Sequence, residues 1–330
     1  MKKLLVINFN NRIYVPLGDY LEKTDFQVRK LELAYNLEAG ENTSLLERAI
    51  RDFRPDIILS FGWWSGNIDI DRYEQAVKAS GCIHTYWTHD DPLFMDSLSA
   101  PMMRFSHFIF TSDGDSVGQY EKKGMKAEFL PMACDPRVHC RTAPLAEYTH
   151  DIVLIANNYN TRDYIPLPNR MTGIRNILIP LLNRKYSLGV YGLWWTEEDR
   201  LFRLPKKFWK GRIIPGNEGQ AYSSCKIGLG LLSVDNSRTM LSMRVFEAMG
   251  SGILYFSQYS PSLGHFFENH RHLVWSQSPQ ETVHYIDYYL SHEEKREEIA
   301  REGRRQVYEN HTYAHRADQI AETLRREFNV

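Results

Sequence analysis

"SMRVFEAMGSGILYF", residues 242–256, sets an arginine (Arg244) and a glutamate (Glu247) three positions apart on a short, mostly apolar segment. A small-residue turn follows, then an apolar run. The segment reads as a buried helix stepping directly into a buried strand, the step from which parallel α/β sheets are made. Why charges should stand on such a helix is the question on which the reading of the whole chain turns.

Working outward, short apolar runs recur between helical or turn-rich segments. In the first half they are "LLVINF" (4–9), "DIILSFG" (56–62), "CIHTYW" (82–87), "HFIFTS" (107–112) and "AEFLPM" (127–132). Between the first two lies "NTSLLERAIRDFRPD", whose apolar residues at 45, 46, 49 and 53 fit one face of a helix. Thr43 or Ser44 is placed to cap it and Pro55 to end it. After the polar stretch "HCRTAPLAEYTHD" (139–151) the pattern restarts with "DIVLIAN" (151–157), "YSLGVYG" (186–192), "GRIIPG" (211–216), "KIGLGLL" (226–232), "GILYFS" (252–257) and "HLVWS" (272–276). Two successive sets of alternating elements predict an α/β protein of two doubly wound, Rossmann-like domains facing a central cleft. The domains are expected at 1–145 and 146–330. Residues 279 to 327 read as helical, with Ser278 as a cap and Pro279 in the first turn. That helical end either stays with the second domain or packs back on the first.

Length and composition agree. A chain of 330 residues, 43% hydrophobic and 25% charged, buries an ordinary globular core. Its net charge of -1 carries no overall footprint of a dedicated nucleic-acid binder. Cys82, Cys134, Cys140 and Cys225 form no C-x-x-C pair and read as reduced thiols, although Cys134 and Cys140 flank His139. The opening "MKKLLVINFNN" has two lysines before an apolar run, but the run stops at Asn8, short for a signal sequence. No run reaches the length of an integral membrane segment, so a cytoplasmic location is expected.

In an open α/β sheet, ligands bind beyond the carboxyl ends of the strands. The loop "SVDNSRTMLSMR" leaves the strand "KIGLGLL" and enters the helix of the opening segment. A helix start after a strand offers free backbone N–H groups to a phosphate, and Ser242 and Arg244 stand there to add a hydroxyl and a guanidinium fork. Glu247, one turn on, suits the vicinal hydroxyls of a ribose. An internal i, i+3 ion pair explains the same spacing, and spacing alone leaves both readings open.

The segment 242–256, together with "HLVWSQSPQETVHYIDYYLSHEEKREEIAREGRRQVYENHTYAHRA", resembles the C-terminal domain of glycosyltransferases of the spore maturation protein CgeB type, which have the GT-B fold. Upstream, "YWTHDDP" (86–92), "FIFTSDGDSVGQYEKKG" (108–124) and "FLPMACDP" (129–136) resemble that family's N-terminal domain. The resemblance implies a donor nucleotide held in the C-terminal domain and an acceptor against the N-terminal one. It gives Glu247 to the donor ribose and places Arg244 and Ser242 near the donor phosphates. "IANNYNTR" (155–162) resembles the first loop of the donor domain, with asparagines where glycine is usual. Asn157 and Asn158 tolerate a left-handed backbone there. Arg175 resembles the arginine that follows that loop, and Arg238 is a further candidate for the phosphates. "VYGLWW" (190–195) resembles the strand and loop beside the base, giving Gly192 and Trp194, with Trp195 as the alternative stacking ring. The paired glutamates of many retaining members are absent, since Thr239 stands eight before Glu247.

On the N-terminal face, "THDDP" follows a strand. An inverting transfer needs a base for the acceptor hydroxyl, and Asp90 and His89 are the candidates. Asp91 is a third, or else the cap of a turn begun by Pro92. "FGWWSGN" (61–67) offers Trp63 and Trp64 as sugar-stacking surfaces, and "NFNNR" (8–12) offers Asn10 and Asn11 for hydroxyl recognition or a tight turn.

The expectation is therefore a glycosyltransferase, hexosyl or pentosyl, that takes a UDP- or GDP-like nucleotide-sugar as co-substrate and needs neither a metal nor a separate cofactor. Its acceptor is a protein, a glycan or a modified nucleic acid. A sugar-nucleotide epimerase of the same fold, and a non-catalytic sugar-binding or spore-coat protein, are the alternatives. Thr239 keeps the last one open.

Overall fold

The computed structural model describes residues 1–11, 14–34 and 36–329. The chain divides into two compact units, Met1–Met132 with Tyr313–Val330, and Ala133–Thr312.

The first unit carries a parallel sheet of six strands, β1 (Lys3–Asn8), β2 (Gln27–Glu32), β3 (Ile57–Phe61), β4 (Ile83–Thr88), β5 (Phe108–Thr111) and β6 (Ala127–Phe129). Their spatial order is β2-β1-β3-β4-β5-β6, so the winding reverses between β1 and β3. Strands β3 and β5 are buried along their whole length, which is why they read as unbroken apolar runs. Strand β2 was not expected. It is "QVRKLE" at the sheet edge, mostly exposed, so it has no apolar run to announce it. The helix after it starts at Ala39, earlier than Thr43 or Ser44, and ends at Phe53, where Arg54 turns left-handed ahead of Pro55. Thr43 sits inside it, donating to the Ala39 carbonyl at 2.6 Å.

The last helix, Tyr313–Phe328, belongs to this first unit. Glu128 in β6 accepts from Gln319 at 2.8 Å, Thr323 at 3.0 Å and Arg326 at 2.6 Å. Arg316, itself buried, donates to the carbonyls of Pro131 and Met132.

The second unit holds β7 (His150–Ile155), β8 (Leu188–Tyr191), β9 (Cys225–Gly230), β10 (Leu254–Gln258) and β11 (Val274–Ser276) in a parallel sheet of order β11-β10-β9-β7-β8. Here the winding reverses between β7 and β9. The run at 211–216 is not a strand; the chain leaves the sheet after Lys210, whose N–H meets the Val190 carbonyl, and Ile214 lies out in solvent. Ser278 caps the helix Pro279–Ser291 as expected, accepting from the Glu281 N–H at 3.2 Å.

The division falls at residue 132, earlier than the expected 145. The cause is local. The Cys134 N–H donates to the His311 carbonyl at 3.0 Å, and the Tyr308 hydroxyl donates to the His139 carbonyl at 2.7 Å. These bonds fix 133–139 to the second unit. Among the described residues, no helix is long and apolar enough to cross a membrane.

Candidate functional site

In the second unit, the residues at the carboxyl ends of β7 and β9 converge where the winding reverses, the usual place for a ligand in an open sheet. Arg170 ties the two ends together. Its Nε donates to the Asn157 carbonyl at 3.0 Å, and its Nη1 to the Leu231 carbonyl at 3.1 Å and the Ser233 hydroxyl at 3.3 Å. It is buried and stacks over the Tyr159 ring at 5.3 Å. Burial lowers its pKa from the ordinary guanidinium value, and the nearby Arg244 charge lowers it further. Arg170 was not a candidate from the sequence, since nothing in "PNRMTG" marks it. Arg175, which was, lies one and a half turns later and is exposed.

The asparagines of the first loop do not supply a left-handed turn. Asn157 Oδ1 accepts from the Leu193 N–H at 2.9 Å, and Asn158 Nδ2 donates to the Phe202 carbonyl at 2.8 Å. Side-chain amides thus do what a glycine turn does elsewhere, by binding the neighbouring loop. Asn158 Oδ1 is sealed, with no partner among the described residues. The positive φ falls instead on Trp194, at 66°. Its ring is half-buried, 5.4 Å from Tyr159 and 5.4 Å from the Arg200 guanidinium. Trp195 is a core residue, fully buried, with its indole N–H on the Ala156 carbonyl at 2.6 Å. Gly192 has φ 136°, and a Cβ there would lie 1.9 Å from the Ala156 carbonyl oxygen, so only glycine allows the two loops this close.

The helix Met243–Gly250 begins just beyond β9. Ser242 stands at its N-cap position in extended conformation, but its side chain makes no capping bond, which leaves the first-turn N–H groups unclaimed by it. Arg244 and Glu247 are indeed paired: Arg244 Nη1 donates to Glu247 Oε2. A second carboxylate was missed from the sequence. Glu218, from the helix Glu218–Ser223, sets its Oε1 3.1 Å from the same Nη1. Both carboxylates are buried, with side chains 2% and 4% exposed, whereas the Arg244 side chain keeps 33% of its surface. Its Nη2 and Nε have no partner among the described residues. Burial disfavours the charge on Arg244, but Glu247 and Glu218 outweigh it and raise its pKa. Burial raises that of Glu247, against the pull of Arg244.

His139 closes the group from behind. The Asp135 N–H donates to its Nδ1 at 3.0 Å, so the neutral ring carries its proton on Nε2, 3.8 Å from Glu247 Oε1. Burial pushes its pKa down to about 4. Cys134 and Cys140 flank it in sequence as free thiols, and the described residues contain no cluster of His, Cys, Asp and Glu suited to a metal. Arg238 is exposed on the loop before the helix. Thr239 lies on that loop too, its N–H on the Ser237 hydroxyl at 3.0 Å.

In the first unit, the candidates again follow strands. Asp91 is not available to a substrate. It is sealed, and its carboxylate accepts from the hydroxyls of Thr88 (2.5 Å), Thr111 (2.8 Å), Tyr120 (2.6 Å) and Ser99 (2.8 Å). These four bonds use up its acceptor sites, and Asp91 is the anchor of β4 and β5. Asp90 faces outward. Burial among the surrounding atoms and the Asp91 charge push its pKa up to about 6, a shift that its remaining solvent contact tempers. His89 stacks on Phe61 at 5.6 Å and meets Trp87 edge-on at 4.7 Å. Its Nε2 is buried with no partner among the described residues, and burial pushes its pKa down to about 3. Trp63 is core; Trp64 is half-buried. Asn10 is half-buried, its backbone N–H on Asn8 Oδ1 at 3.0 Å, and Asn11 is exposed, its backbone N–H on the Leu33 carbonyl.

Residues 170–322 match the family model described as glycosyl transferase-like. No curated protein matches the chain in sequence. Among solved structures, the chain is similar to Anabaena HepE in complex with UDP-glucose, at 12% identity and a TM-score of 0.63 over 98% of this chain and 99% of that one. It is similar to a sucrose-phosphate synthase from Thermosynechococcus elongatus, at 11% identity and a TM-score of 0.66 over 100% of both. A mutant of T4 phage BGT in complex with UDP-glucose gives 12% identity and a TM-score of 0.62 over 99% and 100%. At such identities the likeness speaks for the fold. Fold and segment are thus two separate findings: the chain has the two-sheet α/β fold of these GT-B structures, and its residues 170–322 match the glycosyl transferase-like family model.

Proposed function

We propose that the protein transfers a sugar from a UDP-sugar to a hydroxyl acceptor, as a glycosyltransferase of the CgeB type. The observation that carries this is the state of Arg244. One nitrogen of its guanidinium faces two buried carboxylates, while its other N–H donors have no partner among the described residues at the carboxyl end of the sheet. A guanidinium fixed on one edge and open on the other is suited to bind a diphosphate oxygen pair. Arg170 adds a second positive charge at the strand reversal, and the first turn of Met243–Gly250 adds backbone N–H groups. Glu247 is then the group for the ribose hydroxyls, and Trp194 the one for the base. Two of the similar structures hold UDP-glucose, which favours uridine over guanosine.

In the transfer, the acceptor O–H loses its proton to a base as its oxygen bonds to the anomeric carbon. The bond from that carbon to the diphosphate breaks, and the diphosphate leaves with the electron pair. Asp90 is the base. Its pKa near 6 leaves it ionised yet basic at neutral pH, whereas His89, with a pKa near 3, is too weak a base. Arg244 and Arg170 meet the charge that develops on the leaving diphosphate, so the reaction needs no metal for that purpose. The acceptor is a hydroxyl on a protein, a glycan or a modified nucleic acid, and the reading does not depend on which.

The test is thermal unfolding with UDP, GDP, ADP, CDP and dTDP in excess, for wild type and Glu247→Ala. Ligand at about 100 times its dissociation constant adds roughly 2.7 kcal/mol, a shift of a few degrees. Stabilisation by UDP, weakened in the variant, is expected. No stabilisation by any of the five overturns the reading and favours the non-catalytic alternative.

A further inference from the structure

We infer that Glu218 is a positioning residue: it anchors Arg244 so that Glu247 is free to leave the guanidinium for the ligand. This inference rests on the nucleotide-sugar reading above. If Glu247 takes two vicinal ribose hydroxyls with both of its oxygens, Oε2 has to share its acceptor capacity with Arg244 Nη1, and that bond weakens in the bound state. A guanidinium on a flexible chain that loses its single partner swings away, and ordering it again costs side-chain entropy. Here it does not have a single partner. Glu218 Oε1 lies 3.1 Å from the same Nη1 as an ion-pair partner, so the guanidinium charge faces both carboxylates while its hydrogen bond goes to Glu247.

Glu218 is built to stay in place. Its other oxygen accepts from the Gly216 N–H at 2.7 Å. The next residue, Gly219, packs so tightly that a Cβ would stand 2.0 Å from the Val138 carbonyl oxygen, which presses the helix Glu218–Ser223 against the segment that carries His139. Tyr222, one turn on, is sealed. Among the described residues, no backbone group fixes Glu247 in this way; its second oxygen lies 3.8 Å from the neutral His139. The two carboxylates are therefore unequal: one is immobilised by backbone, the other is held by Arg244 itself. The immobile one keeps the guanidinium aimed when the mobile one turns to the sugar.

The experiment is calorimetric binding of UDP and of uridine to wild type, Glu218→Gln, Arg244→Met and the double variant. Glutamine keeps the acceptor for Gly216 and the volume of the side chain, and melting curves and circular dichroism verify folding. Glu218→Gln is expected to weaken UDP about tenfold, through the loss of one partly buried ion pair on Arg244, and to leave uridine, which has no phosphate, unchanged. In the Arg244→Met background the same substitution is expected to change nothing, because its route to the phosphate is gone. Turnover reads the same route: KM for the donor rises and kcat falls, because Arg244 also meets the charge that develops on the leaving diphosphate, and in the Arg244→Met background neither changes further. Equal weakening of UDP and uridine, or an undiminished effect in the Arg244→Met background, overturns the inference and makes Glu218 a structural residue. Wild type that binds neither probe overturns the functional reading itself; wild type that binds UDP with Glu218→Gln indistinguishable from it overturns this inference alone.

Discussion

Asp91 in the first unit and Glu247 in the second are both sealed carboxylates just beyond parallel strands, and their partners make them opposites. Asp91 is met by four hydroxyls, all neutral and all inside the protein. Glu247 is met by one guanidinium that still has donors to spare and keeps contact with solvent. A carboxylate saturated by neutral donors holds strands together and has nothing left to offer. A carboxylate paired with an unsaturated cation stores capacity for a charged ligand. Burial alone does not separate structure from function here; the unused valence of the partner does.

The largest effect that tests this contrast sits one residue from Asp91. Asp90→Asn is expected to lower kcat by about 10² to 10⁴, the usual contribution of a general base, while the melting temperature and UDP binding stay as in wild type. The wild-type kcat/KM should rise with pH and level off at or below about 6, because the base works only when ionised, and the crowding around this exposed residue and the Asp91 charge raise its pKa from the ordinary value toward that one. The profile of Asp90→Asn should be flat there. A wild-type profile without an ionisation at or below about 6 would remove Asp90 from the mechanism.

Asp91→Ala acts on the other side of the comparison. It leaves four buried hydroxyls without their acceptor, a network loss of about 4 kcal/mol. For a unit of this size that is roughly 10 °C in melting temperature. Amide exchange should quicken in β4 and β5 but not in the helix Met243–Gly250. A variant as stable as wild type would show that the hydroxyls rearrange at no cost.

Glu247→Gln comes next. Arg244 keeps Glu218, so the stability loss is expected at about 1–2 kcal/mol. UDP and uridine should both weaken, by about tenfold, since the ribose is common to both. A loss confined to UDP would move Glu247 from the sugar to the diphosphate side of the site.

Much of the frame was legible because buried parallel strands leave apolar runs in the sequence, and ten of the eleven runs fall on β1, β3, β4, β5, β6, β7, β8, β9, β10 and β11. Strand β2 was not legible because an exposed edge strand has no such run. The pair Arg244–Glu247 was legible from spacing along one helix. Glu218 and Arg170 were not, because each acts across the sheet on residues far away in sequence, and no local pattern records that. The hydroxyl box of Asp91 was hidden for the same reason: Thr88, Ser99, Thr111 and Tyr120 meet only once the strands are aligned. The boundary was misplaced because composition shifts near 140, whereas the backbone bonds that assign 133–139 to the second unit run to 308–311.

Trp194 and Trp195 carry the comparison to its smallest scale. Neighbours of one type, they could not be told apart by sequence. Trp195 is core and its indole N–H is spent on Ala156. Trp194 is half-buried, in a left-handed conformation that a bulky residue rarely adopts, with Tyr159 and Arg200 beside its ring. Holding a large ring in an unfavourable backbone state makes physical sense where the ring's position matters more than local stability. Trp194→Ala should therefore cost about 1–2 kcal/mol in folding, the sum of an aromatic contact and a cation–π contact, with no relief of that conformation because alanine keeps the Cβ. Uridine and UDP binding should fall by the same factor, about fivefold, because the base is common to both ligands. A loss of stability without any change in uridine binding would return Trp194 to the ordinary packing of its loop and leave the base contact to be sought at Tyr159.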